Sequence, residues 1–211
     1  MFKKNFYLKT TNLPIGNKTK HKIFYLGLWC VNLNNQNLKS KYILDHPYQD
    51  LKFREKSRRY VKKLYEKISP KLYQDLNLLH KTNHKYNYWD NILGYYLESI
   101  LSQLYEKWIC IEKTKKLNRK FITEFYNFDY KDLIFNSADE YEKKFFGFKN
   151  MEYWHHFCYT LIIKHHQNIT YKILKKPNIK KFRKIQNKTN FKIKLIYLVS
   201  EFILKLNKNI E

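Results

Sequence analysis

The run Phe24-Tyr25-Leu26-Gly27-Leu28-Trp29-Cys30 is where the residue types of this chain first suggest chemistry. A glycine at the carboxyl end of a strand lets the backbone approach a ligand, and open α/β sheets bind ligands beyond those ends. The Gly-x-Trp-Cys spacing nevertheless lacks the Gly-x-Gly-x-x-Gly pattern that cradles a pyrophosphate. From residue types alone the plainer reading is favoured: Gly27 turns the chain, while Trp29 and Cys30 pack in the core.

His80 and His84 stand four apart, a spacing at which one helical face could present both to a metal. Thr82-Asn83 between them reads as a helix end, and no third ligand stands at a matching interval. They are therefore read as loop histidines that contact substrate or cap carbonyls. The pairs His155-His156 and His165-His166 lie roughly 15 Å apart if helical and cannot share one ion. In each pair one ring is expected to be partly buried and the other solvated. Cys30, Cys110 and Cys158 are odd in number and form no Cys-x-x-Cys pair, so neither a disulfide framework nor a zinc knuckle is expected. No metal and no cofactor are assigned.

The elements that must position these residues follow from apolar periodicity. Residues 22 to 27 read as the first strand of an α/β unit, residues 40 to 45 as the second and 120 to 126 as the third, with a loop containing Pro47 after the second. Apolar residues at helical spacing mark a helix over 53 to 68. Ser69-Pro70 reads as the cap and first residue of another, ending near His80. The segment from 89 to 111 repeats apolar pairs every four residues and is the central core helix. Further helices are expected from Ser137 to Lys144, over 151 to 166 and over 192 to 208. The chain divides into an N-terminal extension (1–20), an α/β domain (21–170), a basic connector (171–190) and a C-terminal helix (191–211). The fold class is α/β and helix-rich, with a small parallel Rossmann-like sheet and long packed helices.

The 211 residues are 44% hydrophobic, enough to bury one real core. Lys+Arg number 42 against 18 Asp+Glu, a formal +24 that would ordinarily direct attention to polyanions. Only Arg54, Arg58, Arg59, Arg119 and Arg183 are arginines, and Lys, Asn, Ile, Tyr and Phe abound, all residues with A- and T-rich codons. Composition drift accounts for the lysines, so nucleic acid is not the expected partner. The lysine-rich stretch from 175 to 188 is read as a solvated linker. No signal peptide is visible at the amino terminus. The apolar stretch from 195 to 206 is broken by Glu201 and Lys205 and is shorter than a bilayer of ~30 Å requires. A cytoplasmic location is expected.

Several motifs, taken together, resemble a transferase family from O-antigen and surface-carbohydrate gene regions. They are Tyr25-Leu26-Gly27-x-Trp29-Cys30, Pro47-Tyr48-x-Asp50, Leu76-Asn77-x-x-His80, Tyr88-Trp89-x-x-Ile92-Leu93-Gly94 and Leu104-Tyr105-x-x-Trp108, with Tyr153-Trp154-x-His156 and Leu161-Ile162-Ile163 further on. The resemblance spans most of residues 22 to 166. Members of that family are longer and carry a carboxyl-terminal half similar to nucleotide-sugar enzymes.

The resemblance implies an amino-terminal, acceptor-side domain that is not catalytic alone, either a truncated relic or one part of a split enzyme completed by a separately encoded nucleotide-sugar-binding half. Gly27, Trp29, Cys30, Asp50, His80, His84 and Trp89 would then bind a carbohydrate acceptor, aromatic faces stacking the sugar and imidazoles bonding its hydroxyls. Leu28 stands where the family commonly has an acid before the motif tryptophan, and leucine cannot take a proton, so no catalytic residue is assigned. Two other readings compete: a basic nucleic-acid-binding or ribosome-associated protein, and a non-catalytic interaction module.

Overall fold

A computed structural model describes residues 6–13, 15, 20–31, 42–127, 151–165 and 169–175. Five parallel strands form one sheet: β1 (Phe6–Lys9), β2 (Lys22–Tyr25), β3 (Tyr42–Ile43), β4 (Phe121–Tyr126) and β5 (Ile169–Leu174), in the order β3-β2-β1-β4-β5. Three helices are described, α1 (Leu51–His80), α2 (Tyr86–Lys115) and α3 (Met151–Lys164), with single 3-10 turns at Leu28–Cys30 and Pro47–Gln49. The expected α/β class with a parallel Rossmann-like sheet is what the chain adopts. The helix expected from Ser137, the stretch from 177 to 190 and the final helix lie outside the described residues.

Three sequence expectations are corrected. The first strand is β1, not residues 22 to 27. Phe6, Tyr7 and Leu8 are all buried, so this strand is covered on both faces and shows no alternation to read. The second correction is β5, a strand at the sheet edge with mostly exposed side chains, which falls where a connector was expected.

The third is Pro70, which lies inside one continuous α1 rather than opening a new helix. Proline removes one helical hydrogen bond. Packing on both sides outweighs that loss: Ile68, Leu72 and Tyr73 are buried, and the Ser69 hydroxyl pairs with that of Tyr86 at 2.8 Å.

The described residues of 1–46 and 107–193 form one compact unit and those of 47–106 a second. In the first unit, Phe6, Leu8, Phe24, Phe121 and Phe125 of the sheet share a core with Tyr159, Ile162 and Ile163 of α3. The central helix expected over 89 to 111 extends from 86 to 115, and its last turns bring Cys110 and Ile111 into that core. Thr123 ties β4 to β1 by donating its hydroxyl to the Leu8 carbonyl at 2.8 Å.

In the second unit, α1 and residues 86–106 of α2 form an antiparallel hairpin. The rings of Tyr60 and Tyr105 meet at 4.7 Å, and nearer the turn the Tyr73 hydroxyl donates to Asp90 at 3.0 Å. Tyr65 donates to the same Asp90 carboxylate oxygen. Burial and these bonds to Asp90 push both phenols well above the usual tyrosine range. Gly94 leaves the room, since a Cβ there would lie 2.7 Å from the Tyr65 hydroxyl.

Candidate functional site

Strand order reverses between β1 and β4, because the chain moves outward through β2 and β3 and then returns to the other side of β1. The crevice beyond the carboxyl ends of two such strands is where open α/β sheets bind ligands.

Beyond β1 run Thr10 and Thr11, both buried, and then exposed Asn12. The Asn12 N–H donates to Glu152 Oε2 at 2.9 Å. Glu152 is in the first turn of α3, where a negative charge complements the helix dipole. Burial raises its pKa, opposed by the Asn12 hydrogen bond and by Lys9. A half-buried carboxylate thus stands where a phosphate-binding sheet would present a glycine-rich cradle.

The glycine motif forms the neighbouring wall. Leu26 N–H donates to the Lys9 carbonyl at 3.0 Å, and Cys30 N–H to that of Gly27 at 3.1 Å, which winds the 3-10 turn. Trp29 folds back over Gly27 and donates its indole N–H to the Thr10 carbonyl at 3.3 Å. Its ring meets that of His46 edge-on at 5.5 Å. The plainer reading of this motif holds in part: Cys30 is fully buried, whereas Trp29 is half-buried. Burial drives the Cys30 thiol far above its ordinary range and that of Cys158 up to about 12, so neither is a nucleophile near neutrality.

On the β4 side the Tyr126 N–H donates to His156 Nε2 at 3.0 Å. Nε2 is therefore the unprotonated nitrogen of a neutral ring, and burial depresses its pKa to about 4. His155 is depressed to about 3, by burial and then by Lys107. His156 is buried and His155 is half-buried, so neither ring of this pair is solvated, against the expected division; His165 is exposed, and His166 lies outside the described residues.

The other predicted residues belong to the helical unit. Asp50 is the N-cap of α1, its Oδ1 accepting from the Phe53 N–H at 3.2 Å. Asn77 organises the loop between α1 and α2. Its Oδ1 accepts from the Thr82 hydroxyl (3.1 Å), the His84 N–H (3.0 Å) and the Trp89 indole N–H (2.9 Å), and its Nδ2 donates to the His84 carbonyl at 2.9 Å. Exposed His84 stacks on Tyr88 at 3.8 Å, while His80 lies 5.6 Å from the buried Trp89 ring. The structure thus gathers His80, His84 and Trp89 in one group and Gly27, Trp29 and Cys30 in another. Among the described residues no three His, Cys, Asp or Glu side chains form a metal-binding cluster.

Glu152, Asn12 and the two threonines were not singled out by sequence reasoning. The missing clue was β1 itself, because without it nothing marks Thr10 to Asn12 as the end of a central strand.

Fold and crevice together define an α/β protein with an open parallel sheet and an acidic, glycine-poor switch point. The chain belongs to the LIC12162 family of transferases, whose match covers residues 6–211. The transferase resemblance carried by the motifs is shown at that level, and the match extends beyond residues 22 to 166 in both directions. No curated protein and no solved structure matches the chain. No described helix is long and apolar enough to cross a membrane.

Proposed function

We propose that this transferase is the acceptor side of a cytoplasmic surface-carbohydrate enzyme, with Glu152 as the general base for an acceptor hydroxyl. The hydrogen bond from the Asn12 N–H to Glu152 carries the reading. It holds one carboxylate oxygen, leaving lone pairs on the other for a sugar hydroxyl. A carboxylate at the switch point repels a diphosphate and attracts hydroxyl donors, which suits an acceptor better than a nucleotide. The raised pKa moves this carboxyl toward the working range of a general base.

In the proposed reaction the acceptor oxygen bonds to the anomeric carbon of a nucleotide sugar. The bond from that carbon to the diphosphate breaks, the nucleoside diphosphate leaves, and the hydroxyl proton passes to Glu152. The nucleotide sugar is held by a separately encoded partner. Trp29, bonded to the Thr10 carbonyl beyond β1, offers an aromatic edge, and in the helical unit the His84 and Tyr88 stack offers exposed rings to a sugar face.

The test combines binding and turnover. Ligand-observed NMR of this chain should show transfer to surface oligosaccharides and none to nucleoside diphosphates. Tagged protein purified from its own cells should retain a nucleotide-sugar polypeptide, and together they should release nucleoside diphosphate when acceptor is added. Tight binding of a nucleoside diphosphate by this chain alone would overturn the acceptor-side assignment.

A further inference from the structure

Lys and Arg account for 42 of the 211 residues, yet neither occurs from residue 86 to residue 106, the part of α2 that belongs to the helical unit. The acids of that stretch are Asp90, Glu98 and Glu106. Asp90 is turned inward onto Tyr65 and Tyr73.

The gap in positive charge coincides with exposed apolar surface. Tyr88 is 45% exposed, Ile92 46% and Tyr95 76%. At about 100° per residue, Ile92 lies about 40° to one side of Tyr88 and Tyr95 about 20° to the other, so the three form one stripe roughly 10 Å long. Buried Leu93, Leu97, Ile100, Leu101 and Leu104 lie about 120–180° away from Tyr88. The stripe is therefore the outer face of α2. A single exposed apolar side chain is ordinary, but three at i, i+4 and i+7 occupy the face that a helix in water gives to polar residues.

A chain of formal charge +24 repels its own copies wherever lysines face each other. That repulsion is least at the cation-free stripe of α2. The stripe is itself uncharged, so it offers a basic partner little attraction. Isoleucine at its middle gives a sugar neither a donor nor an acceptor. What the stripe matches is a second stripe of the same kind.

We propose that the outer face of α2 is a self-association surface, occupied by α2 of a second copy of this chain. Laid antiparallel about a twofold axis, the helices place Tyr88 opposite Tyr95 of the partner subunit and the two Ile92 side chains beside the axis. The contact is isologous and closes at the dimer. A stripe of this length covers less than the ~800 Å² per partner of a stable complex, so the dimer is weak and forms with rising concentration. It covers Tyr88, whose stack with His84 is then open to a sugar in the monomer alone. The association does not depend on the acceptor-side reading or on Glu152.

The experiment is sedimentation velocity of the full chain across a concentration series at low and high salt. A monomer–dimer equilibrium is expected, tighter at high salt because screening weakens the repulsion between copies. Ile92→Asp sets two carboxylates together at the axis and should weaken the dimer by about a hundredfold or more. Cys30, Cys110 and Cys158 are buried, so under added oxidant Ile92→Cys should link two copies by a disulfide. Lys56→Cys, exposed near the start of α1, should not.

The proposal is overturned if the wild-type chain stays monomeric throughout, if Ile92→Asp dimerises as the wild type does, or if the two cysteine variants cross-link equally. A dimer that weakens as salt rises would also overturn it, since charge would then hold the contact. If Ile92→Asp lowers the unfolding temperature at dilutions where the wild type is monomeric, residues of the same chain cover the stripe and the proposal falls. A monomeric wild type whose Ile92→Asp variant loses oligosaccharide binding would assign the stripe to a sugar instead.

Discussion

The indole of Trp29 occupies the space where a side chain on residue 27 would stand: a Cβ built on Gly27 would lie 2.1 Å from the ring. Backbone conformation does not require glycine here, since residue 27 is fully extended. The close approach of Trp29 does. Gly27→Ala should push the indole off the Thr10 carbonyl and cost roughly 1–3 kcal/mol of stability. Tryptophan emission together with chemical denaturation would show both effects. An unchanged midpoint would mean that the ring moves freely and does not fix the crevice wall.

Glu152→Gln keeps an acceptor oxygen for the Asn12 N–H but cannot take a proton. The proposed base role requires transfer to fall by ~100-fold or more. Thermal stability near neutrality should hold or rise, because burial already disfavours the charged carboxylate. The wild-type rate should also show an acidic limb set by a carboxyl titrating above its usual range, absent from the variant. Full transfer by the variant would place the base elsewhere.

Asn77 and His84 separate scaffold from surface. Asn77→Ala removes four hydrogen bonds, one of them from the buried Trp89 indole, and should cost roughly 1–3 kcal/mol. His84→Ala removes an exposed ring whose backbone N–H and carbonyl still serve Asn77, so stability should change by about 0.5 kcal/mol or less. A loss of oligosaccharide affinity in the His84 variant would then report binding rather than unfolding. If His84→Ala unfolds the hairpin, the imidazole belongs to the scaffold.

Much of the architecture was legible where sequence pattern and burial coincide. The paired apolar residues of α2 bury Leu93, Leu97, Ile100, Leu101 and Leu104, so the central helix could be read without tertiary information. Pro70 misled because the local rule describes a backbone in isolation, whereas Ser69 and Tyr86 hold the helix from outside. β1 is four residues long and covered on both faces, and β5 lies at an edge, so neither displays the alternation by which strands are found. The motif residues near Gly27 and Asn77 were visible as types; their grouping was not. Glu152 carried no signal at all, because it reaches Asn12 across 140 positions of sequence.

Two histidines make the stability of the sheet unit depend on pH in a direction that can be worked out. His156, buried and accepting the Tyr126 N–H, has its pKa lowered from 6.5 to about 4, and His155 is lowered to about 3. Between those values and 6.5 the unfolded chain binds protons that the folded chain refuses. Stability is therefore fully present above 6.5 and is lost as pH falls toward 4, with His156 alone contributing about 3 kcal/mol of that loss. His156→Gln supplies an oxygen for the Tyr126 N–H but does not titrate in this range. Denaturant unfolding followed across the window should show a wild-type slope steeper than that of the variant by about one proton. Equal slopes would mean that His156 is protonated in the folded chain, and the tautomer assigned from the Tyr126 hydrogen bond would have to be abandoned.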